Sequence, residues 1–349
     1  MTKLRAVVLS AGAWSQSSHL PALAADPEVE IVCVTSPDAE GARRSAEAFG
    51  ALEWSADWRE ALRHSPDIAV VSSPPAAHEE MVLGALQAGA HVLVEKPFAL
   101  DAQSAIRMRD AAKAADRHLL IGFGWPAAPI FAKARELIAG GEIGLVEHVN
   151  FHLAVNTRAL LSGSTDGGWG GEAASDTSTY TDPRISAGGS AAVSMSHQLG
   201  LIEWLTGDHI VAVHANTYPS GVPIDLHAAV NARFAGGGSG VISSASTHPY
   251  LARPQWHLAL YGDRGQIWLD SISDHLRLVR ANGDVVTFDG AEASGVYDAG
   301  APTKALIACG RGSTAPAGLS AHLATRVVAI TDAIYESALS GSQIRISNP

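Results

Sequence analysis

Val92-Leu93-Val94-Glu95-Lys96-Pro97 is the stretch from which the rest of the chain unfolds. His91 to Val94 is a short apolar, β-branched run, the length of a strand buried on both faces. Polarity then flips within one residue. Glu95 and Lys96 leave the strand at its carboxyl end, and Pro97, with no N–H, ends the ladder. In open α/β sheets, ligands lie at the carboxyl ends of strands. A lysine there is either a solvated strand-end charge or a catalytic group, and its surroundings have to decide between them.

Working outward, strand and helix patterns alternate. Arg5–Leu9, Ile31–Thr35, Ile68–Ser72 and Leu119–Gly122 read as further strands. Leu20–Ala25, Ala39–Phe49, Ala77–Ala88 (closed by Gly89) and Ala102–Ala115 read as helical. Strands spaced by helices give right-handed βαβ units and a parallel sheet, a Rossmann-type domain over residues 1–124.

A dinucleotide pyrophosphate would lie at the first strand–helix turn, which in its usual form reads G-x-G-x-x-G. Here the turn is Ser10-Ala11-Gly12-Ala13-Trp14-Ser15, so only the middle glycine is kept. That glycine lets the backbone approach phosphate. The alternative is a small-residue turn with no ligand. The second strand runs into Val34-Thr35-Ser36-Pro37-Asp38. An acid at the position of Ser36 would mark NAD, because it accepts from the ribose hydroxyls. Ser36 does not repel a 2′-phosphate, and Arg43 or Arg44 on the next helix could reach one, so the reading leans to NADP. Two alternatives stand beside it: the arginines form a solvated helix face, or Asp38 turns in and binds NAD. The third strand ends in Ser73-Pro74-Pro75, an extended loop able to pack on the cofactor, followed by His78.

The bulk numbers agree with an enzyme of two domains. The chain has 349 residues, 47% of them apolar, and carries a net charge of −11. No basic patch or basic helix is visible, which disfavours nucleic acid and anionic membrane as partners. No apolar run reaches the roughly 18 residues of a membrane span. The N-terminus enters a strand directly, and Cys33 and Cys309 suggest no disulfide framework, so a cytoplasmic location is expected. No metal site is expected.

Several blocks occur in one order along the whole chain. They are His19-Leu20-Pro21-Ala22-Leu23, Ser73-Pro74 with His78, Ala88-Gly89-Ala90-His91 running into Glu95-Lys96-Pro97, Glu142-Ile143-Gly144, Ala187-Gly188-Gly189 before Ser196-His197, and Gly262-Asp263-Arg264-Gly265-Gln266. In these the chain resembles the Gfo/Idh/MocA oxidoreductases, which include glucose–fructose oxidoreductase and inositol dehydrogenases. The resemblance implies an α+β second domain over 125–349, used for substrate binding and oligomerisation. Its large, open, mainly antiparallel sheet would be packed by helices on one face. Strand candidates fit this: Ile143–Val155, Ala228–Phe234, Ser239–Ser246, His257–Tyr261, Gln266–Asp270, Leu276–Arg280 and Val285–Phe288. A long helix over about 319–339 is expected to pack near the domain junction.

The resemblance also implies chemistry: hydride exchange between nicotinamide and a carbinol or ketone of a sugar, sugar derivative or polyol. Lys96 falls on the family's lysine beside the substrate, and His197 on the histidine of a helical D-x-x-x-H motif that moves the hydroxyl proton. Hydride leaves carbon as the proton leaves oxygen, so a base titrating near neutrality suits the task. A nearby ammonium stabilises charge on that oxygen. Cofactor contacts are expected from Ser10, Gly12, Ala13, Trp14, Ser36, Arg43, Ser73, Pro74, His78, Glu95 and Lys96. A dimer or tetramer through the second-domain sheet is implied as well.

This chain departs from the family where substrate is handled. Val193 stands at the aspartate place, four residues before His197, where helical spacing would put a carboxylate on the histidine's face. Ser194 or Ser196 are the substitutes at hand. Gly122-Phe123-Gly124-Trp125-Pro126 replaces an aromatic–arginine pair. A buried histidine bonded to backbone is the other reading of His197. The Gly/Ser/Thr/Asp-rich stretch Asn156–Ser186 carries Trp169, Tyr180 and Arg184, and reads as a lid whose Trp169 stacks on a sugar, or as a surface insertion. Trp125, His152, Trp169, Arg184 and Ser194 are the substrate candidates; Phe151 and His248-Pro249-Tyr250 are further pocket candidates. Besides the dehydrogenase, two readings stay open: a cofactor-assisted glycoside-cleaving enzyme, and a non-catalytic Rossmann-fold sensor or scaffold.

Overall fold

The computed structural model describes residues 3–163, 178–219, 221, 223–248 and 252–347. The chain forms two compact units, Met1–Gly124 with Ala299–Thr325, and Trp125–Asp298 with Arg326–Pro349.

The first unit follows the alternation read from the sequence. Its elements are β1 (Leu4–Leu9), α1 (Leu20–Ala24), β2 (Val29–Thr35), α2 (Ala39–Phe49), β3 (Glu53–Ser55), α3 (Trp58–Leu62), β4 (Ile68–Val71), α4 (His78–Gln87), β5 (His91–Val94), α5 (Ala102–Ala114) and β6 (Leu119–Ile121). The six strands pair in parallel in the order β3-β2-β1-β4-β5-β6. β4 and β5 are apolar and almost wholly buried, as a strand covered on both faces requires. The order reverses between β1 and β4, and a sheet of this kind binds ligands at such a switch point. β3 and α3 were not expected. The strand has three residues, two of them exposed, and the helix has five, too few for either to show a period.

The second unit begins with α6 (Pro129–Ala139) and β7 (Val146–Ala154). Short helices follow: α7 (Arg158–Leu161), α8 (Ser178–Thr181), α9 (Pro183–Ser186) and α10 (Ser190–Val193), then the longer α11 (Met195–Thr206). The strands β8 (Ile210–Pro219), β9 (Asp225–Phe234), β10 (Ser239–Ala245), β11 (Gln255–Gly262), β12 (Gly265–Asp270), β13 (His275–Arg280) and β14 (Val285–Asp289) complete most of its sheet. The Asn156–Ser186 stretch is therefore not structureless where it is described.

The chain then makes α12 (Ala301–Gly310), α13 (Ala321–Ser340) and β15 (Ile344–Arg345). The nine-stranded sheet has the order β14-β13-β12-β11-β7-β10-β9-β8-β15. Every pairing is antiparallel except β7 with β10. Gln198 Nε2 donates to the carbonyls of Phe151 and Ser243, each at 3.1 Å, and so fastens α11 to one face. The other face presents Val241, Tyr261 and Trp268, all exposed. β8 was missed. Its register shifts between Ile210 and Ala212, which breaks the alternation that marks a strand.

The expected second domain, 125–349, is corrected in one respect. Ala299–Thr325 belongs to the first unit, and the division falls inside α13, between Thr325 and Arg326. A side chain at Gly310 would press on Ile68 and Leu4, so α12 lies tight against the first sheet. Leu120 and Ser320 form an antiparallel bridge at its edge.

Candidate active site

At the switch point, Ser10 ends β1 with φ 74°, a left-handed conformation at the place of the motif's first glycine. Neighbouring strands hold it there. Ser10 N–H donates to Thr35 Oγ1 at 3.2 Å, and its carbonyl accepts from Ser72 Oγ at 2.7 Å. Ala11 N–H donates to the Thr35 carbonyl at 2.7 Å. Gly12 is exposed, with no atom within 4 Å of where a Cβ would stand, and Ala13 beside it is half-buried. Nothing in the protein demands glycine at that place, and the backbone there is bare. Ser15, at the third glycine's place, is fully buried, as close packing there requires.

Two expected cofactor ligands turn inward instead. Trp14 Nε1 donates to Glu95 Oε1 at 3.0 Å, and His19 Nε2 lies 3.0 Å from the same oxygen. Glu95 Oε2 accepts from the Lys96 N–H at 3.1 Å. Glu95 is 7% exposed, so its carboxylate serves the protein interior. Burial pushes its pKa up, but the His19 hydrogen bond, the charges of His19 and Lys96 and the Lys96 N–H outweigh that and leave it below the ordinary range. Lys96 itself is half-buried. Burial pulls its ammonium below the usual lysine range, and the Glu95 charge opposes that.

His78 is also corrected. It is fully buried, with Nε2 2.7 Å from the Ser73 carbonyl and Nδ1 3.2 Å from that of Phe98. Burial lowers its pKa. It ties down the Ser73-Pro74 loop, in which Ser73 is buried and Pro74 half-buried. Ser36 is half-buried, its N–H bonded to the Ser55 carbonyl. Arg43 does not turn to it. The guanidinium donates to Glu40 Oε2 at 2.9 Å and Oε1 at 2.5 Å, and to Glu47 Oε1 at 2.5 Å. Arg44 lies 3.7 Å from Asp38 and 3.6 Å from Glu40.

In the second unit, His197 is half-buried in the first turn of α11, against a wall of rings. Its ring centroid lies 6.5 Å from Trp256 and 6.3 Å from Tyr297, both edge-on. Trp125 packs 4.3 Å from Trp256 and 4.7 Å from Tyr297, so this substrate candidate does share a cluster with His197. Trp256 and Tyr297 were not singled out, because they come from distant segments that carry no motif.

Val193 and His197 lie on different helices and have different neighbours. α10 ends at Val193, the chain turns at Ser194, and α11 starts at Met195. Val193 is buried with Leu161, Ile224 and Leu226, a setting that suits no carboxylate. Ser194 is buried at the break, its carbonyl accepting from the His197 N–H at 3.3 Å. The carboxylate that organises this region is Asp225. Its Oδ1 accepts from Gly189 N–H at 3.2 Å and Tyr335 OH at 2.8 Å, and its Oδ2 from Ala191 N–H at 2.8 Å. Side chains at Gly188 or Gly189 would collide with Tyr335 and Asp225 respectively, which accounts for the Ala187-Gly188-Gly189 block.

Other substrate candidates lie elsewhere. His152 points to the opposite face of the sheet from Phe151 and Trp256, because strand side chains alternate. There its Nδ1 bonds Ser243 Oγ at 2.8 Å, and its ring lies 6.4 Å from His257. Arg184 is exposed and folded back on Asp182 at 2.6 Å. Trp169, Pro249 and Tyr250 lie outside the described residues. Among the described residues no cluster of three metal-ligating side chains occurs.

Residues 4–123 match the oxidoreductase family with an NAD-binding Rossmann fold, and residues 131–268 match the GFO/IDH/MocA C-terminal domain. D-glucoside 3-dehydrogenase of Escherichia coli (strain K12) is 27% identical over 217 residues, 62% of this chain and 58% of that protein. Inositol 2-dehydrogenase of Corynebacterium glutamicum is 27% identical over 191 residues, 54% and 50% of the two chains. The chain thus spans about half the length of these curated relatives. An oxidoreductase domain protein from Kribbella flavida has the same fold, with TM-score 0.83 and 22% identity over 99% of this chain and 100% of that one. So does a levoglucosan dehydrogenase solved with NADH and levoglucosan, at TM-score 0.82 and 20% identity over 100% of both chains. With both domain families matched in order over most of its length, the chain belongs to the GFO/IDH/MocA oxidoreductases.

Proposed function

We propose that the protein is a nicotinamide-dependent oxidoreductase. It moves a hydride between the cofactor and a carbinol or ketone carbon of a sugar, sugar derivative or polyol. The observation that carries this reading is Lys96: a half-buried lysine at the carboxyl end of β5, in a parallel sheet whose switch-point turn is left bare at Gly12.

The turn fits a dinucleotide. Ser10, Gly12 and Ala13 would line its phosphates. Ser36 would meet the ribose, and Ser73 and Pro74 the ring beyond. The nicotinamide, when bound, accepts or returns the hydride. Lys96 stabilises negative charge on the substrate oxygen, and His197 takes or gives its proton. Trp125, with Trp256 and Tyr297, supplies an apolar wall on which a sugar face can stack. The lean to NADP is replaced by a preference for NAD, because Arg43 is held by Glu40 and Glu47, and Asp38 adds further negative charge at the end of β2. A second copy of the chain, meeting the exposed sheet face at Tyr261 and Trp268, completes the assembly. A cytoplasmic location goes with this reading, supported by two buried free cysteines.

Lys96→Ala and His197→Ala are each expected to lose about 10²–10⁴-fold in turnover. Both should retain NADH binding, read by quenching of tryptophan fluorescence. A panel of sugars and polyols with NAD and NADP provides the assay. Full turnover in both variants would overturn the catalytic roles, and tighter binding of NADPH than NADH would overturn the cofactor preference.

A further inference from the structure

Glu95 is enclosed from several elements. Trp14 reaches it from the turn after β1, His19 from the residue before α1, and the Lys96 N–H from the next residue along. His19 is fully buried, and its second nitrogen, Nδ1, lies 2.8 Å from Oγ1 of Thr303, itself fully buried on α12. His19 thus ties Glu95 to α12 through its two ring nitrogens. On the β6 side, a side chain at Gly122 would run into the Glu95 carboxylate, so that position keeps room for it. The remaining titratable group nearby, His78 on α4, is buried between carbonyls, and burial lowers its pKa.

A buried carboxylate is costly without a compensating charge. Lys96, the next residue, supplies one for as long as it stays protonated. The lysine has the converse need, because burial favours its neutral form.

We propose that Glu95 is a positioning residue for Lys96: it is the anion that keeps this side chain an ammonium at the strand end, and His19 with Thr303 is the brace that holds the anion in place. The catalytic consequence rests on the reading that Lys96 faces the reacting oxygen. A neutral amine there would not stabilise an alkoxide. The expected sign follows from the charges. Removing the Glu95 charge leaves burial unopposed, so Lys96 releases its proton at lower pH. Removing the His19 bond lets burial protonate Glu95 more readily, which moves Lys96 the same way by less.

The test uses the full chain. Lysines are reductively methylated with ¹³C-formaldehyde, and the Lys96 signal, identified by its absence in Lys96→Ala, is titrated by NMR. In Glu95→Gln the midpoint should fall by about 1 pH unit or more, as loss of an adjacent opposite charge implies. The alkaline limb of kcat/KM should move with it. Glu95→Asp, which keeps the charge, should hold both near wild type. If Glu95→Gln does not fold, His19→Leu gives the same reading with a smaller fall. An unchanged midpoint in the folded variant overturns the proposal whatever Lys96 does in catalysis. Conversely, full turnover of Lys96→Ala overturns the catalytic reading, while the NMR midpoint still decides the role of Glu95.

Discussion

Glu95 at the end of β5 and Asp225 at the start of β9 are both buried carboxylates, 7% and 4% exposed, and each anchors the approach to a candidate catalytic residue. Both accept well-formed hydrogen bonds. Their acidities nevertheless move in opposite directions. Glu95 is held below its ordinary range, because His19 and the Lys96 charge outweigh burial. Asp225 is pushed above its range: burial dominates, and the donors around it, Ala191 and Gly189 N–H and Tyr335 OH, are neutral. Neutral hydrogen bonds satisfy a buried carboxylate geometrically, but a nearby cation is what keeps it ionised.

A third buried carboxylate allows that contrast to be broken outright. Glu203 is bound by Arg326 through two hydrogen bonds of 2.7 Å, and both side chains are almost wholly buried. Arg326→Met removes the guanidinium and leaves Glu203 buried with the Ile210 N–H and His209 beside it. The expected loss is about 3–5 kcal/mol of stability, measured by urea denaturation. A loss below about 1 kcal/mol would show that the guanidinium is dispensable.

Tyr335→Phe sharpens the comparison on the other side. It removes one neutral donor from Asp225, and about 1 kcal/mol of stability should go with it. Since α10 leads into α11, turnover should fall more than cofactor binding does. An unchanged urea midpoint would mean that the backbone donors suffice.

The effect of acid has opposite signs at the two sites. Glu95, with its lowered pKa, contributes stability above its ordinary value that is lost as pH falls through the folded value. Asp225, with its raised pKa, regains stability as pH falls through its folded value, because the native state then holds a proton that the unfolded chain has released. Glu95→Gln should therefore flatten the fall of Tm between neutral and acid pH, and Asp225→Asn should steepen it. Parallel curves for both variants would contradict the assignment. The smallest effect is expected at Ser10, whose left-handed backbone carries strain that glycine does not feel. Ser10→Gly should gain up to about 1 kcal/mol, and a loss in thermal denaturation would show that the serine hydroxyl matters more than the strain.

Where the chemistry is local, the sequence is explicit. β5 and α2 have the limits their residues announce, because an apolar run or a helical period is cut off within one residue by Glu95 or Gly50. The switch-point turn keeps one glycine of three, and open space lies where a Cβ at Gly12 would stand. Other features needed information that lies far along the chain. Glu95 and Trp14 look like ligands of a cofactor until His19 and Thr303 are brought beside them. Strand alternation says that Phe151 and His152 face opposite ways, but not which face α11 covers. Helical spacing from Val193 to His197 does not show that one helix ends at Val193 and the next starts after Ser194.

The interrupted first unit has a consequence for how the protein is made. α12 lies beneath β4, β5 and β6 and supplies Thr303 to His19, yet it is synthesised after all but the last part of the other unit. A ribosome adding roughly 5–20 residues per second needs on the order of ten seconds or more to travel from Gly124 to that helix. For that interval the emerging sheet lacks one of its covering layers, with Ile68 and Leu4 awaiting Gly310. The candidate active-site lysine is thus among the first functional groups to be synthesised, and its brace is among the last to arrive.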